Sequence, residues 1–178
     1  MIWMSNEDID NKLTNQLIEK LNEVNLANSQ GMDEKLIWYF STEGGDIASA
    51  REIIDIINTN KDVIELVASD VIASSGFFIF FKSTCKRRIL PYTIGVHHSA
   101  VSTINIRVGN LPKNEYDVLT KSKNSQINAD LYNLGMNLGL DHIQCKTFKK
   151  GKDVIIEYPE LQILLTRSIE LNANILDT

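Results

Sequence analysis

The chain has 178 residues, enough for one domain with a full core that needs no disulfide or metal staple. Apolar residues make up 43%, which excludes wholesale disorder, and a net charge of -5 with a pI near 5.2 excludes a general nucleic-acid binder with a basic face. Two cysteines, Cys85 and Cys145, do not make a disulfide framework and suit a reducing, cytoplasmic compartment. No basic segment with an apolar leader opens the chain, and no apolar run reaches the ~18 residues of a membrane span.

Met1 to Met4 is a short apolar start and reads as an edge strand. Asp8 or Asp10 can cap a helix in which Leu13, Leu17, Leu21 and Val24 recur on one face. Asn25 to Glu34 is polar, contains Gly31, and reads as a loop. Leu36 to Phe40 is a continuous apolar run, as expected of a strand covered on both faces. Ser41 to Asp46 contains Gly44-Gly45 and reads as a turn, and Ile47, Ala50, Ile53, Ile54 and Ile57 follow at helical spacing.

The strand-turn-helix unit then repeats. Val63 to Ala68 is a strand, Ser69 to Ser75 a turn, and Gly76 to about Ser83 a helix. Arg87 to Leu90 and Ile94 to His97 are two short strands separated by Pro91-Tyr92-Thr93. Alternating strands and helices predict right-handed crossovers and a largely parallel sheet, with sites at the loops that follow the strands. Val101 to Val108 reads as extended, and Pro112 opens a helix to about Leu138. Lys149 to Asp153 is a turn and Val154 to Ile156 a strand. A final helix spans about Pro159 to Leu171, with Asn174 available as its left-handed C-cap.

One stretch carries chemistry. Ala73-Ser74-Ser75-Gly76 stands where an apolar strand meets an apolar helix. A serine there has free first-turn N–H groups beside it and the positive end of a helix dipole beneath it, which suits a nucleophile beside a developing oxyanion. The same stretch can also be a plain turn, and either Ser74 or Ser75 can be the exposed hydroxyl.

Taken in order, Ser41-Thr42-Glu43-Gly44-Gly45, then Ala73-Ser74-Ser75-Gly76, then Leu90-Pro91 and His98 resemble the proteolytic subunit of the Clp protease family. That family carries Asn-Ser-Pro-Gly-Gly, Ala-Ser-Met-Gly, Leu-Pro, and a catalytic histidine seven residues after the proline. Ile2-Trp3-Met4 through Glu7-Asp8-Ile9-Asp10 is similar to its first strand and helix entry. The resemblance is good from Ile2 to about His98 and weaker beyond.

It implies an α/β fold of the Clp/crotonase type, with stacked β-β-α units and a protruding handle helix. Residues 1–98 and 139–178 would form the head and about 99–138 the handle. It further implies a serine peptidase that hydrolyses peptide bonds of peptide or unfolded-protein substrates inside homo-oligomeric rings, often two stacked heptamers. No cofactor, metal, nucleic acid or membrane is implied. Ser74 matches the nucleophile and His98 its general base, and the backbone N–H groups of Gly45 and Ser75 match the oxyanion hole. The triad acid falls on Asp153, six residues before Pro159-Glu160. Aligning instead on Asn174-Ile175-Leu176-Asp177 moves that position to Gln162, with Glu160 close by.

Three departures accompany the match. Glu43 replaces the family's proline, one residue is missing between Ser74 and Leu90, and the chain begins at the first strand, without a counterpart of the family's axial loops. The last weighs against an ATPase partner. Two rival expectations follow: a catalytically inactive structural ring subunit that lacks the acid, and an acyl-CoA enzyme of the crotonase type.

Overall fold

The computed structural model describes the backbone of residues 1–100 and 113–176, and the side chains of residues 1–100 and 125–172. The chain divides into two compact units. One comprises Met1–His97 with Ile155–Thr178, and the other His98–Val154.

The first unit is built on a six-stranded sheet. Its strands are β1 (Ile2–Asn6), β2 (Leu36–Thr42), β3 (Ile64–Ala73), β4 (Lys86–Ile89), β5 (Ile94–His97) and β6 (Val154–Ile156, of which Val154 is the last residue of the second unit), in the order β1-β2-β3-β5-β6, with β4 also paired to β3. Each defined pairing of β1 through β5 is parallel, as the alternation of strand and helix predicts. The opening apolar residues form the edge strand, with Ile2 and Met4 facing solvent.

Helix α1 (Asn11–Ser29) starts where Asp10 accepts from the Leu13 amide at 2.9 Å, so of the two candidate caps Asp10 serves. Leu13, Leu17, Leu21 and Val24 are all buried. The helix also takes in Asn25 to Ser29, read above as loop. Polar residues on an exposed face do not stop a helix, and the turn comes only at Gly31, whose φ is 86°. Helix α2 (Ile47–Thr59) is capped by Asp46 and buries Ala50, Ile53, Ile54 and Ile57.

Two strands are longer than expected. β2 includes Ser41 and Thr42, both buried, and β3 runs through Ser69 to Ala73. β3 first pairs with β4, from Glu65 to Ala68, and then with β5, from Val71 to Ala73. Between the two pairings stands Asp70 at φ 52°, and this kink hid the continuity of the strand. Helix α3 (Ser75–Lys82) is buried through Phe81. Arg87 of β4 is buried against its end and donates to the Phe80 and Phe81 carbonyls at 3.1 and 3.3 Å. The same guanidinium donates to Ser168 Oγ at 2.9 Å, so α6 (Tyr158–Leu176) is tied to α3. The final helix starts one residue earlier than expected and runs on through Asn174, which is therefore no C-cap.

The second unit contains α4 (Lys113–Leu138), close to the helix expected from Pro112, and α5 (His142–Lys149). Leu131, Leu134 and Leu138 of α4 are buried, as are Cys145 and Phe148 of α5. Lys149 places its ammonium 4.4 Å from the Tyr132 ring centre. α5 was not foreseen, although Asp141 and Gln144 form a full capping box at its start. The extended segment expected over 101–108 lies outside the described residues. Among the described residues no helix is long and apolar enough to cross a membrane.

Candidate active site

β3 ends at Ala73 and α3 begins at Ser75, so Ser74 is the junction residue. Its backbone is at φ 55°, ψ -121°, a region in which a non-glycine residue is strained. Three contacts hold it there. The Ser74 amide donates to the Val96 carbonyl of β5 at 2.9 Å, the Ser74 carbonyl accepts from the Phe78 amide of α3 at 3.2 Å, and Gly44 lies beside the side chain. A β-carbon on Gly44 would stand 2.6 Å from Ser74 Cβ and 3.1 Å from Oγ, so only glycine lets the loop come this close. The Ser74 hydroxyl makes no capping bond to its helix and is half-buried.

Ser75 differs from Ser74 in its burial and in the bond its hydroxyl makes. It is buried, and its hydroxyl donates to the Gly45 carbonyl at 3.1 Å. Its backbone N–H belongs to the first turn of α3, where no intrahelical acceptor exists.

The Gly44-Gly45 loop is held on its other side by main-chain bonds. Ile9 donates to the Gly44 carbonyl at 2.8 Å, and Asp46 donates to the Ile9 carbonyl at 2.7 Å. Thr42 Oγ1 accepts from the Gly44 amide at 3.0 Å. Gly44 and Gly45 have φ of 116° and 147°, and a β-carbon on Gly45 would come 2.3 Å from the Ile9 carbonyl oxygen. Among the described residues nothing accepts from the Gly45 amide. Among the described residues neither the Gly45 nor the Ser75 amide is thus committed to an acceptor, and a pair of such N–H groups can stabilise a carbonyl oxygen that gains charge.

Of the two adjacent histidines, His97 is buried, with its ring centre 4.9 Å from that of Phe77. His98 belongs to the second unit and is half-buried. Its Nδ1 lies 2.8 Å from the Ser99 carbonyl. A carbonyl only accepts, so this contact puts the proton on Nδ1 and leaves the Nε2 lone pair free to take one. Asp153, also in the second unit, is exposed, and among the described residues no carboxylate is hydrogen-bonded to His98. Gln162, on the alternative alignment, instead donates to the Ile89 carbonyl at 3.2 Å. Glu160 lies in the first turn of α6.

Neither cysteine offers a rival nucleophile. Both are free thiols, and burial pushes Cys85 up to about 11, against the pull of the neighbouring Arg87 charge. Burial also raises the Cys145 thiol. Among the described residues no group of three or more metal-binding side chains is placed to hold an ion.

The sequence places Thr42 in the turn but does not show that its hydroxyl takes the Gly44 amide, and it gives no sign that Ile9 anchors the loop. Thr42 carried a readable signal, since a threonine two residues before a glycine can bond its amide in a local turn. Ile9 carried none, because its contribution is main-chain only.

Comparison with known proteins bears on the fold and the family. A ClpP1 point mutant from Listeria monocytogenes has a similar fold, with a TM-score of 0.64 at 15% identity over 92% of this chain and 86% of that one. Comparison with curated proteins gives no match. The family profile described as Clp protease matches residues 1–131, which include β1 through β5, the Gly44-Gly45 loop, Ser74 and His98. The chain belongs to the Clp protease family.

Proposed function

We propose that the protein is a serine peptidase of the Clp type, with Ser74 as nucleophile, His98 as general base and Asp153 as the acid. The observation that carries this reading is the conformation of Ser74. A non-glycine residue held at φ 55°, ψ -121° costs on the order of 1–3 kcal/mol, and the fold retains that strain at a serine that opens a buried helix.

In the reaction, Ser74 Oγ attacks the peptide carbonyl carbon while its proton moves to Nε2 of His98. The carbonyl oxygen becomes an oxyanion facing the Gly45 and Ser75 amides. The C–N bond then breaks, Nε2 returns the proton to the leaving amine, and an ester remains on Ser74. Water repeats the sequence, releasing the acid and restoring the serine. The subunits associate into rings that take in peptide or unfolded-protein substrates, with no cofactor or metal in the chemistry.

The test is labelling of the full chain with a fluorophosphonate probe, followed by mass spectrometry. The expected result is one adduct on Ser74, lost in Ser74→Ala and in His98→Ala. Asp153→Asn should slow hydrolysis of a fluorogenic peptide by up to about 10⁴-fold if the carboxylate orients His98. Folded protein without an adduct would refute the reading. One observation favours the rival, an inactive ring subunit: the His98 Nδ1 engages the Ser99 carbonyl rather than an acid. A carbonyl fixes the tautomer but offers no full charge to an imidazolium. A folded, ring-forming chain that never labels would establish that rival.

A further inference from the structure

The loop that bears the Gly45 amide has little stiffness of its own. Two consecutive glycines at φ 116° and 147° are the least restrained backbone the chain can supply. Three peptide planes matter, and each has a distinct anchor. The amide entering Gly44 is held by Thr42 Oγ1 at 3.0 Å. The Gly44–Gly45 plane is held on its carbonyl side by the Ile9 amide at 2.8 Å, which leaves the Gly45 N–H on its opposite side. The Gly45–Asp46 plane is held at its N–H by the Ile9 carbonyl at 2.7 Å, and at its carbonyl by the Ser75 hydroxyl at 3.1 Å.

That last bond is a side-chain link from the residue after Ser74 to the loop. Ser75 is buried, 3% exposed, so water does not compete for its hydroxyl. It begins α3, and its own amide is the second candidate donor for an oxyanion. One residue therefore presents its amide and, through Oγ, fixes the peptide next to the other amide.

We infer that the Ser75 hydroxyl is a positioning group: it locks the Gly45 carbonyl so that the Gly45 and Ser75 amides keep a fixed separation and direction. The inference rests on the peptidase reading for its catalytic consequence, but its geometric core does not. A hydroxyl at this position is useful because it shortens the path between the two donors to a single hydrogen bond. Without it, the carbonyl of Gly45 is restrained only through the glycine backbone and the Ile9 bonds.

Three variants of the full chain separate this role from plain stability: Ser75→Ala, Ser75→Thr and Ser75→Cys. Hydrolysis of p-nitrophenyl acetate and the rate of fluorophosphonate labelling are measured beside hydrogen exchange of the peptide spanning residues 44–46. Ser75→Ala should lower kcat and the labelling rate about tenfold with KM unchanged, a fraction of the loss expected when a whole oxyanion donor is removed. Exchange at residues 44–46 should rise in the same variant. Ser75→Thr, which keeps the hydroxyl, should recover most of both, and Ser75→Cys should fall between. A kcat within twofold of the parent in Ser75→Ala, with unchanged exchange, would overturn the inference, as would Ser75→Thr behaving like Ser75→Ala while equally folded. If the parent itself gives no Ser74 adduct, the peptidase reading fails, and the exchange comparison alone still decides whether Ser75 locks the loop.

Discussion

Gly76 packs against Thr42: a β-carbon built on Gly76 would stand 2.2 Å from Thr42 Cγ2. Thr42 cannot easily turn aside, because it is buried and its Oγ1 is committed to the Gly44 amide. Helix α3 thus approaches β2 as closely as a hydrogen atom permits. Gly76→Ala should destabilise the fold by about 1–3 kcal/mol through overpacking. Adding Thr42→Ser removes the methyl and keeps the oxygen, so the double variant should recover most of that loss. Urea denaturation of the four proteins of the cycle checks the coupling, and a double variant no better than Gly76→Ala would show that the clash lies elsewhere.

Asp70 is exposed and stands at φ 52° in the middle of β3. Aspartate tolerates this left-handed region better than most residues, and a β-branched side chain does not. Asp70→Val should cost on the order of 1–3 kcal/mol, whereas Asp70→Asn should be near neutral. Thermal melts should then show a fall of several degrees for the valine variant alone. Equal melting of both variants would mean that β3 carries no strain at this point.

Glu65 joins β3 to β4, with Oε2 2.9 Å from Lys86 Nζ and Oε1 bonded by Arg88 Nε. Burial pushes its carboxyl up, but the hydrogen bonds from Lys86 and Arg88 and their charges together outweigh this and hold it below the usual 4.5. A carboxyl depressed in the folded state stabilises above its unfolded pKa and loses that contribution as pH falls through the folded value. The native chain should therefore exceed Glu65→Gln in stability at pH 7, and the gap should begin to close near pH 4.5 and go on closing at lower pH. Paired denaturation curves from pH 7 to pH 3 would show it. A gap that is constant over that range would rule out the ion pairs as its source.

Much of the fold was legible because its cues are local. The four apolar residues of α1 recur on one face, and Gly44-Gly45 marks a turn that no other residue pair could make. Legibility failed where a local cue pointed the wrong way. Asp70 punctuates a strand that in fact continues, since pairing to β4 and then β5 overrides the residue's preference for turns. Helix α5 buries only Cys145 and Phe148, too few positions for a periodic stripe. At the site, Ser74 stood out by its place between strand and helix. The working contacts of Thr42, Ser75 and Ile9 did not, because they depend on distant segments meeting. Alignment alone assigned Asp153, and the Ser99 carbonyl beside His98 was invisible to any pattern of side chains.

The bonds at Ile9 have a consequence for how such a chain can drift. Both are made by the main chain, from the Ile9 amide to Gly44 and from the Asp46 amide to Ile9. No side-chain replacement at position 9 or 46 deletes a donor, except one to proline. A lineage can therefore rewrite nearly every side chain around the Gly44-Gly45 loop and still pass on its attachment to the segment before α1.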